Sequence, residues 1–136
     1  MEKIRKRLVR EKAIIGVYQF LISNCNKEDI ANYLKDDNSF KIDGDEYNYC
    51  LEMINNTIIN IDKYSNEISK YLKSGWTMER ITKIEQAILL VACYEYENNL
   101  NPKTVIINEA VEITKKYSDA DSYKFINGVL NNLING

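Results

Sequence analysis

The 136 residues are 45% hydrophobic and 28% charged, with a net charge of −2, which excludes a mainly disordered chain and predicts one globular domain over 1–136. The chain contains no histidine, the commonest general base and metal ligand, and its three cysteines lack zinc-site spacing, so we expect no enzyme, no cofactor and no metal site. No uncharged stretch is long enough to span a bilayer, and unpaired thiols favour the cytoplasm.

Apolar positions recur at helical spacing along the first half of the chain. They predict a first helix over about Ile4–Ser23 and a short second helix over Glu28–Lys35. A loop is predicted over Asp36–Asp45 because it collects acidic residues, Asn, Ser and Gly. A long third helix begins near Tyr47 and either continues without interruption or restarts after a kink near Asp62–Ser65.

The second half of the chain begins after a break at Lys73–Thr77. The next helix has so little polar surface that we expect it to be central in the fold. It begins either at Thr77 or, because Thr82–Glu85 fits a capping box, at Thr82. Asn101-Pro102 fits a cap followed by proline at the first helical position of a sixth helix. A turn over Ser118–Asp121 precedes the last helix.

The first twelve residues are strongly basic. They carry six cations against two acids, a net charge of +4, whereas the rest of the chain carries a net charge of −6. At helical spacing, one flank of the first helix collects Lys3, Lys6, Arg7 and Arg10. The same flank becomes apolar further along, so we expect the first turns to project beyond the bundle and present cations to the phosphates of a nucleotide strand. The alternative is an ordinary solvated surface.

Glu11 falls within the apolar stripe of the first helix, where a carboxylate needs a partner. Arg7, one turn earlier, is the predicted partner. Periodicity leaves Phe125 open, as a core residue or as an exposed platform on which a base stacks.

Four segments of the chain resemble the NusB family: Arg7–Ala13 followed by Val17-Tyr18-Gln19, then Trp76–Glu95, Lys103–Ile113 and Asp121–Leu130. The resemblance implies an all-α fold, a NusB-like bundle of about seven helices in two packed sub-bundles, about 1–62 and 63–136. It also implies a bacterial transcription antitermination factor that binds boxA-type single-stranded RNA together with the ribosomal protein acting as NusE. Such a factor joins the RNA polymerase antitermination complex and uses no cofactor.

At the matching positions, the resemblance implies an RNA-binding surface made of Lys3, Arg5, Lys6, Arg7, Arg10, Asp121, Lys124 and Phe125. The implied protein-partner surface contains Tyr18 and Glu85. The chain departs from the family at Tyr123, where histidine is usual, and at Lys3 and Lys6, where arginine is usual. Lysine keeps the charge but loses the bidentate fork, so we expect a weaker and more salt-sensitive RNA contact.

Two other functions are compatible with parts of the pattern. The chain fits a helical protein-interaction or homodimerisation module in which the basic segment is incidental. NusB-like domains also occur fused to RNA methyltransferases, but this chain has no methyl-donor loop and no room for a second catalytic domain.

Overall fold

The computed structural model describes residues 3–119 and 121–135, which form seven α-helices and no strand. The helices are α1 (Lys6–Ser23), α2 (Lys27–Asp36), α3 (Asp45–Ile59), α4 (Ile61–Ser69), α5 (Lys83–Glu97), α6 (Lys103–Tyr117) and α7 (Ser122–Asn135). The predicted all-α bundle is therefore confirmed. No helix in this part of the chain combines the length and the apolar character that a membrane crossing requires.

Helix α5 is the centre of the bundle. Every residue from 85 to 95 is buried, and α5 packs against α1, α3, α4, α6 and α7. A helix that is apolar on nearly all sides is stable only when neighbours cover all of its faces. The predicted central position is confirmed, and the buried side chains of all these helices belong to one continuous core.

The start of α5 is fixed by a capping box. Thr82 Oγ1 accepts the backbone N–H of Glu85 at 3.2 Å, and Glu85 Oε1 accepts the backbone N–H of Thr82 at 3.1 Å. Of the two predicted starts, Thr82 is therefore correct. A short 3-10 turn over Met78–Arg80 precedes it.

Helices α1 and α3 approach each other closely at Gly16. A Cβ atom at this position would lie 2.6 Å from Cδ1 of Ile54, well inside van der Waals contact. The missing side chain therefore lets α3 pack directly on the backbone of α1.

The break between the third and fourth helices lies earlier than predicted. Helix α3 ends at Ile59 and α4 begins at Ile61, so the chain does restart, but earlier than the predicted kink at Asp62–Ser65. Asn60 makes the break, and its Nδ2 donates to the carbonyl of Asn56 at 2.8 Å. Amide side chains compete for helix carbonyls in this way and favour helix ends.

The predicted cap at Asn101 is wrong by one residue. Pro102 is the N-cap of α6, and the helix begins at Lys103. The side chain of Asn101 is used elsewhere: its Nδ2 donates to Glu95 Oε1 at 2.8 Å, and its Oδ1, the atom that a cap would use, accepts Lys6 Nζ at 3.3 Å.

Candidate nucleic-acid interface

The N-terminus of α1 is capped by an acid from α3. Glu46 Oε2 accepts the backbone N–H of Arg5 at 2.7 Å, and both carboxylate oxygens accept Arg5 Nε. A carboxylate at a helix N-terminus offsets the macrodipole and the cations that crowd this end. Hydrogen bonds from the Arg5 guanidinium hold the pKa of Glu46 below its ordinary value. The guanidinium of Arg5 is therefore paired with Glu46 although the Arg5 side chain is 54% exposed.

Arg7 and Arg10, one turn apart on α1, share a single acid on α6. Arg7 Nε and Nη2 each lie 2.8 Å from a different oxygen of Glu109, which is a bidentate pair. Arg10 Nη1 lies 3.2 Å from Glu109 Oε1. The hydrogen bonds from Arg7 lower the pKa of Glu109, so this carboxylate stays ionised between two guanidinium groups.

Arg10 does not lie on a projecting flank. Its side chain is 4% exposed, and its Nη2 lies 2.7 Å from Oε1 of Glu95, which is 2% exposed. The expectation that the first turns of α1 extend past the bundle and present Arg10 to solvent is therefore wrong. Helices α5 and α6 reach this part of α1 and enclose the guanidinium between two carboxylates.

Glu11 pairs with α6 and not with its own helix. Its Oε1 accepts hydrogen bonds from Lys116 Nζ at 2.5 Å and from the Tyr117 hydroxyl at 2.8 Å. Burial alone raises the pKa of Glu11, but these two hydrogen bonds outweigh it and the net shift is downward. The predicted pairing with Arg7 is wrong because Arg7 turns toward Glu109.

Of the remaining cations of the basic segment, Lys12 is partly buried and pairs with Asp37 at 2.7 Å, whereas Lys3 and Lys6 are exposed. Lys3 precedes α1 and is open to solvent. Lys6 Nζ lies 3.3 Å from Asn101 Oδ1 at the surface. Both are accessible to a ligand, and neither is held by a carboxylate among the contacts of the described residues.

The start of α7 lies against the end of α6. Lys115 Nζ sits 4.9 Å from the centre of the Tyr123 ring, a cation–π contact between the two helices. Asp121 and Lys124 are strongly exposed and form a loose pair at 3.9 Å. Phe125 is half-buried against the core, which answers the open question mainly in favour of packing.

Helix α6 joins the two predicted RNA-binding segments into one surface. Contacts to Glu109 and Lys116 bring α1 onto α6, and the contact between Lys115 and Tyr123 brings α6 onto α7. We call this surface the basic face; its exposed cations are Lys6, Arg7, Lys115, Lys116 and Lys124.

Of the two residues predicted to contact a protein partner, Tyr18 lines a groove and Glu85 does not. Tyr18 lines a depression of about 310 Å³ together with Ile15, Ile84 and Tyr117, contributed by α1, α5 and α6. Glu85 follows Ile84 in the chain but is buried, and its Oε1 accepts both the backbone N–H and the hydroxyl of Thr82. Glu85 is thus occupied by the cap of α5.

Sequence reasoning missed the acids that hold the basic segment. Glu95 offered a signal, because a carboxylate within an otherwise apolar helix needs a buried cation. Sequence reasoning also missed two cations of the basic face, Lys115 and Lys116. They could have been found as a pair of adjacent cations near a predicted turn. Glu109 gave no such signal.

Comparison with known proteins identifies the family. Residues 7–135 match the NusB family. The chain belongs to this family. The transcription antitermination protein NusB of Aromatoleum aromaticum is 33% identical over 132 residues, covering 96% of this chain and 88% of that protein. The protein of the same name from Acetivibrio thermocellus is 34% identical over 131 residues, covering 95% and 88%.

Solved NusB structures have the same fold. T. maritima NusB superposes with a TM-score of 0.85 at 25% identity, covering 98% of this chain and 93% of that one. A structure of the antitermination factors NusB and NusE in complex with dsRNA contains a chain that superposes at 0.83 and 21% identity, with 96% of both chains covered. At that identity, the second comparison shows the fold alone.

Within this NusB fold, the residues predicted to bind RNA fall into three groups. The first group is exposed and contains Lys3, Lys6, Arg7, Asp121 and Lys124. In the second group, Arg5 is hydrogen-bonded to Glu46 and Phe125 packs partly against the core. The third is Arg10, which is buried. The geometry therefore leaves Lys3, Lys6, Arg7 and Lys124 open to the phosphates of a polyanion. Arg10 instead shares Glu109 with its neighbour Arg7.

Proposed function

We propose that this NusB-family chain is an RNA-binding adaptor in transcription antitermination. It binds boxA-type single-stranded RNA together with the ribosomal protein NusE, and the complex promotes read-through by RNA polymerase in the cytoplasm. The observation that carries the proposal is the family match over residues 7–135, whose relatives bear the name transcription antitermination protein. The proposed role is binding, with no reaction and no cofactor assigned to the chain.

The basic face supports the RNA-binding part of the proposal. Its cations lie on three adjacent helices, and the side chains of Arg7, Lys116 and Lys124 are each more than 60% exposed. Cations spread along such a face can meet successive phosphates of a flexible strand. Direct contact is proposed for Lys3, Lys6, Arg7, Asp121, Lys124 and the exposed edge of Phe125, and support from within the protein for Arg5 and Arg10.

The groove beside Tyr18 supports the protein-partner part. Its lining is mainly apolar, formed by Ile15, Ile84 and two tyrosine rings. Lys116 of the basic face lies over one of these rings, with its Nζ 5.3 Å from the centre of Tyr117, so the groove and the basic face meet at this residue. Aromatic side chains with apolar neighbours are typical of the centres of protein interfaces. We place NusE at this groove, adjacent to the RNA.

The test is a titration of labelled boxA-type RNA with the full chain, alone and with NusE, over a series of salt concentrations. We expect tighter binding of boxA-type RNA than of a scrambled strand, and a log–log salt slope of about −0.7 per phosphate contacted. A duplex of the same sequence is included because a related NusB–NusE complex was solved with dsRNA.

Reversing the charge of two lysines on the basic face tests whether the RNA binds there. The double variant Lys6→Glu/Lys124→Glu should bind more weakly and with a flatter salt slope. Lys70→Glu/Lys73→Glu, at two exposed positions after α4, introduces the same charge change outside the basic face and should bind as the native chain does. Absence of RNA binding even with NusE, together with self-association in sedimentation, would instead support a protein-interaction module.

A further inference from the structure

Glu109 makes two pairs that differ greatly in exposure. The Arg7 side chain is 79% exposed, whereas the Arg10 side chain is 4% exposed, and both contact the same carboxylate. A strand that lies on the basic face can reach the guanidinium of Arg7. It cannot reach that of Arg10 without opening the packing between α1, α5 and α6.

The partner that holds Arg7 has the geometry of the ligand that Arg7 is proposed to bind. Two parallel N–H···O hydrogen bonds join Nε and Nη2 of Arg7 to the two oxygens of Glu109. Carboxylate and phosphate oxygens accept this same fork from arginine. The carboxylate therefore occupies the donor pair that a phosphate would use.

We propose that Glu109 is a built-in competitor of the RNA, and that a backbone phosphate replaces it on Arg7 when the strand binds. The inference rests on the proposed function, because it assumes that RNA lies on the basic face. It assigns to Glu109 a role in setting the affinity of the basic face for RNA.

Arg10 makes this exchange possible without leaving an unpaired charge in a half-buried position. When Arg7 turns to the phosphate, Glu109 retains Arg10 Nη1 at 3.2 Å. Arg10 does not follow Arg7, because three hydrogen bonds from its Nε and Nη2 fix it to Glu95. Arg10 is thus a positioning residue that holds the displaced carboxylate.

The competition also favours ligands that offer several phosphates in the right register. A single anion must displace Glu109 for little gain, since an exposed ion pair and its replacement have similar strength. A strand that also contacts Lys6 and Lys124 gains further contacts from the same encounter. The displacement of Glu109 costs both ligands the same free energy, but only the strand has further contacts that offset this cost.

The first test removes the competitor. Glu109→Gln keeps the shape of the side chain and loses its charge, and with NusE present it should bind labelled boxA-type RNA roughly two- to fivefold more tightly than the native chain. Glu52→Gln is the matched control, since Glu52 is exposed on α3, outside the basic face, and its removal changes the net charge equally. Circular dichroism checks that each variant is folded.

The second test asks whether the gain passes through Arg7. In an Arg7→Gln background, Glu109→Gln should give no gain in affinity, because there is no guanidinium to release. A gain that persists without Arg7 would overturn the inference and indicate a general field effect. Equal RNA affinities for Glu109→Gln and the native chain would also overturn it.

The third test observes the replacement of Glu109 by a phosphate directly in the native chain. In NMR spectra of the native chain, added RNA should shift the Nε–H signal of Arg7 and leave that of Arg10 in place, and single Arg→Lys variants assign the two signals. Movement of the Arg10 signal alone overturns the inference. If no form of the chain binds RNA, the proposed function fails as well, whereas RNA binding that leaves the Arg7 signal unchanged refutes only the competition.

Discussion

Arg10 and Glu95 form a salt bridge in the interior of the protein, with Arg10 Nη2 2.7 Å from Glu95 Oε1 and neither side chain more than 4% exposed. The pair joins α1 to the central helix α5. Asn101 donates to the same oxygen at 2.8 Å, so the segment before α6 is attached to the pair as well. Arg10 therefore belongs first to the folding of the bundle.

Removal of Arg10 should destabilise the chain strongly. Arg10→Ala leaves the buried carboxylate of Glu95 without its cation, and we expect the free energy of unfolding to fall by about 3–5 kcal/mol. Arg7→Ala, which removes an exposed partner of Glu109, should cost much less. Urea unfolding followed by circular dichroism measures both. Native stability of Arg10→Ala combined with lost RNA binding would instead make Arg10 an RNA contact.

A side chain at Gly16 should disturb the contact between α1 and α3. Alanine is favoured over glycine within a helix by about 1 kcal/mol, but its Cβ would lie 2.6 Å from Ile54 Cδ1. Because overpacking costs about 1–3 kcal/mol, Gly16→Ala should be destabilising overall. Ile54→Val removes the clashing methyl group, so the double variant should be more stable than the sum of the two single effects predicts. Additive effects would contradict the clash.

The capping box of α5 should contribute measurably to the stability of the fold. Thr82→Ala removes the acceptor of the Glu85 backbone N–H, and the free energy of unfolding should fall by about 1 kcal/mol. Thr104→Ala, in the first turn of α6 where no side-chain cap exists, is the matched control and should cost less. Equal losses would show that the cap contributes nothing.

Glu85→Gln should keep the cap and remove the charge. Glutamine accepts the same hydrogen bonds in a capping box, so the thermal unfolding midpoint should change little. If the charge of Glu85 takes part in binding NusE beside the Tyr18 groove, the affinity for NusE should fall in this variant although the fold is intact. Unchanged affinity for NusE would restrict Glu85 to its structural role.

The helices were predictable because their signals are local. The apolar surface of α5 and the Thr82–Glu85 capping box each lie within a few turns of sequence, and both predictions are confirmed. The position of α5 at the centre follows from the lack of a polar face. The boundary at Asn60 was missed by two residues, since asparagine is tolerated within helices as well as at their ends.

The state of the basic segment was not predictable from its own sequence. Glu46 is 41 residues away from Arg5, and Glu95 is 85 residues away from Arg10. Periodicity places Arg10 on a flank of α1 but does not show whether that flank meets water or the carboxylates of another helix. The family resemblance supplied residue positions, and only the packing of α5 and α6 on α1 showed which cations remain exposed.

The ion pair between Arg5 and Glu46 should make stability depend on pH in the acid range. The pKa of Glu46 is lowered by the hydrogen bonds from Arg5. A group whose pKa is lower in the folded state contributes stability that is present above its unfolded pKa and lost as the pH falls through its folded pKa. The difference in unfolding free energy between the native chain and Glu46→Gln should therefore be constant near neutral pH and shrink below about pH 4.5, the ordinary value for this carboxyl group. Urea unfolding at a series of pH values measures it, with the exposed Glu52→Gln on the same helix as the control. A difference that grows on acidification would contradict the pairing, because protonation of Glu46 removes the charge that Arg5 binds.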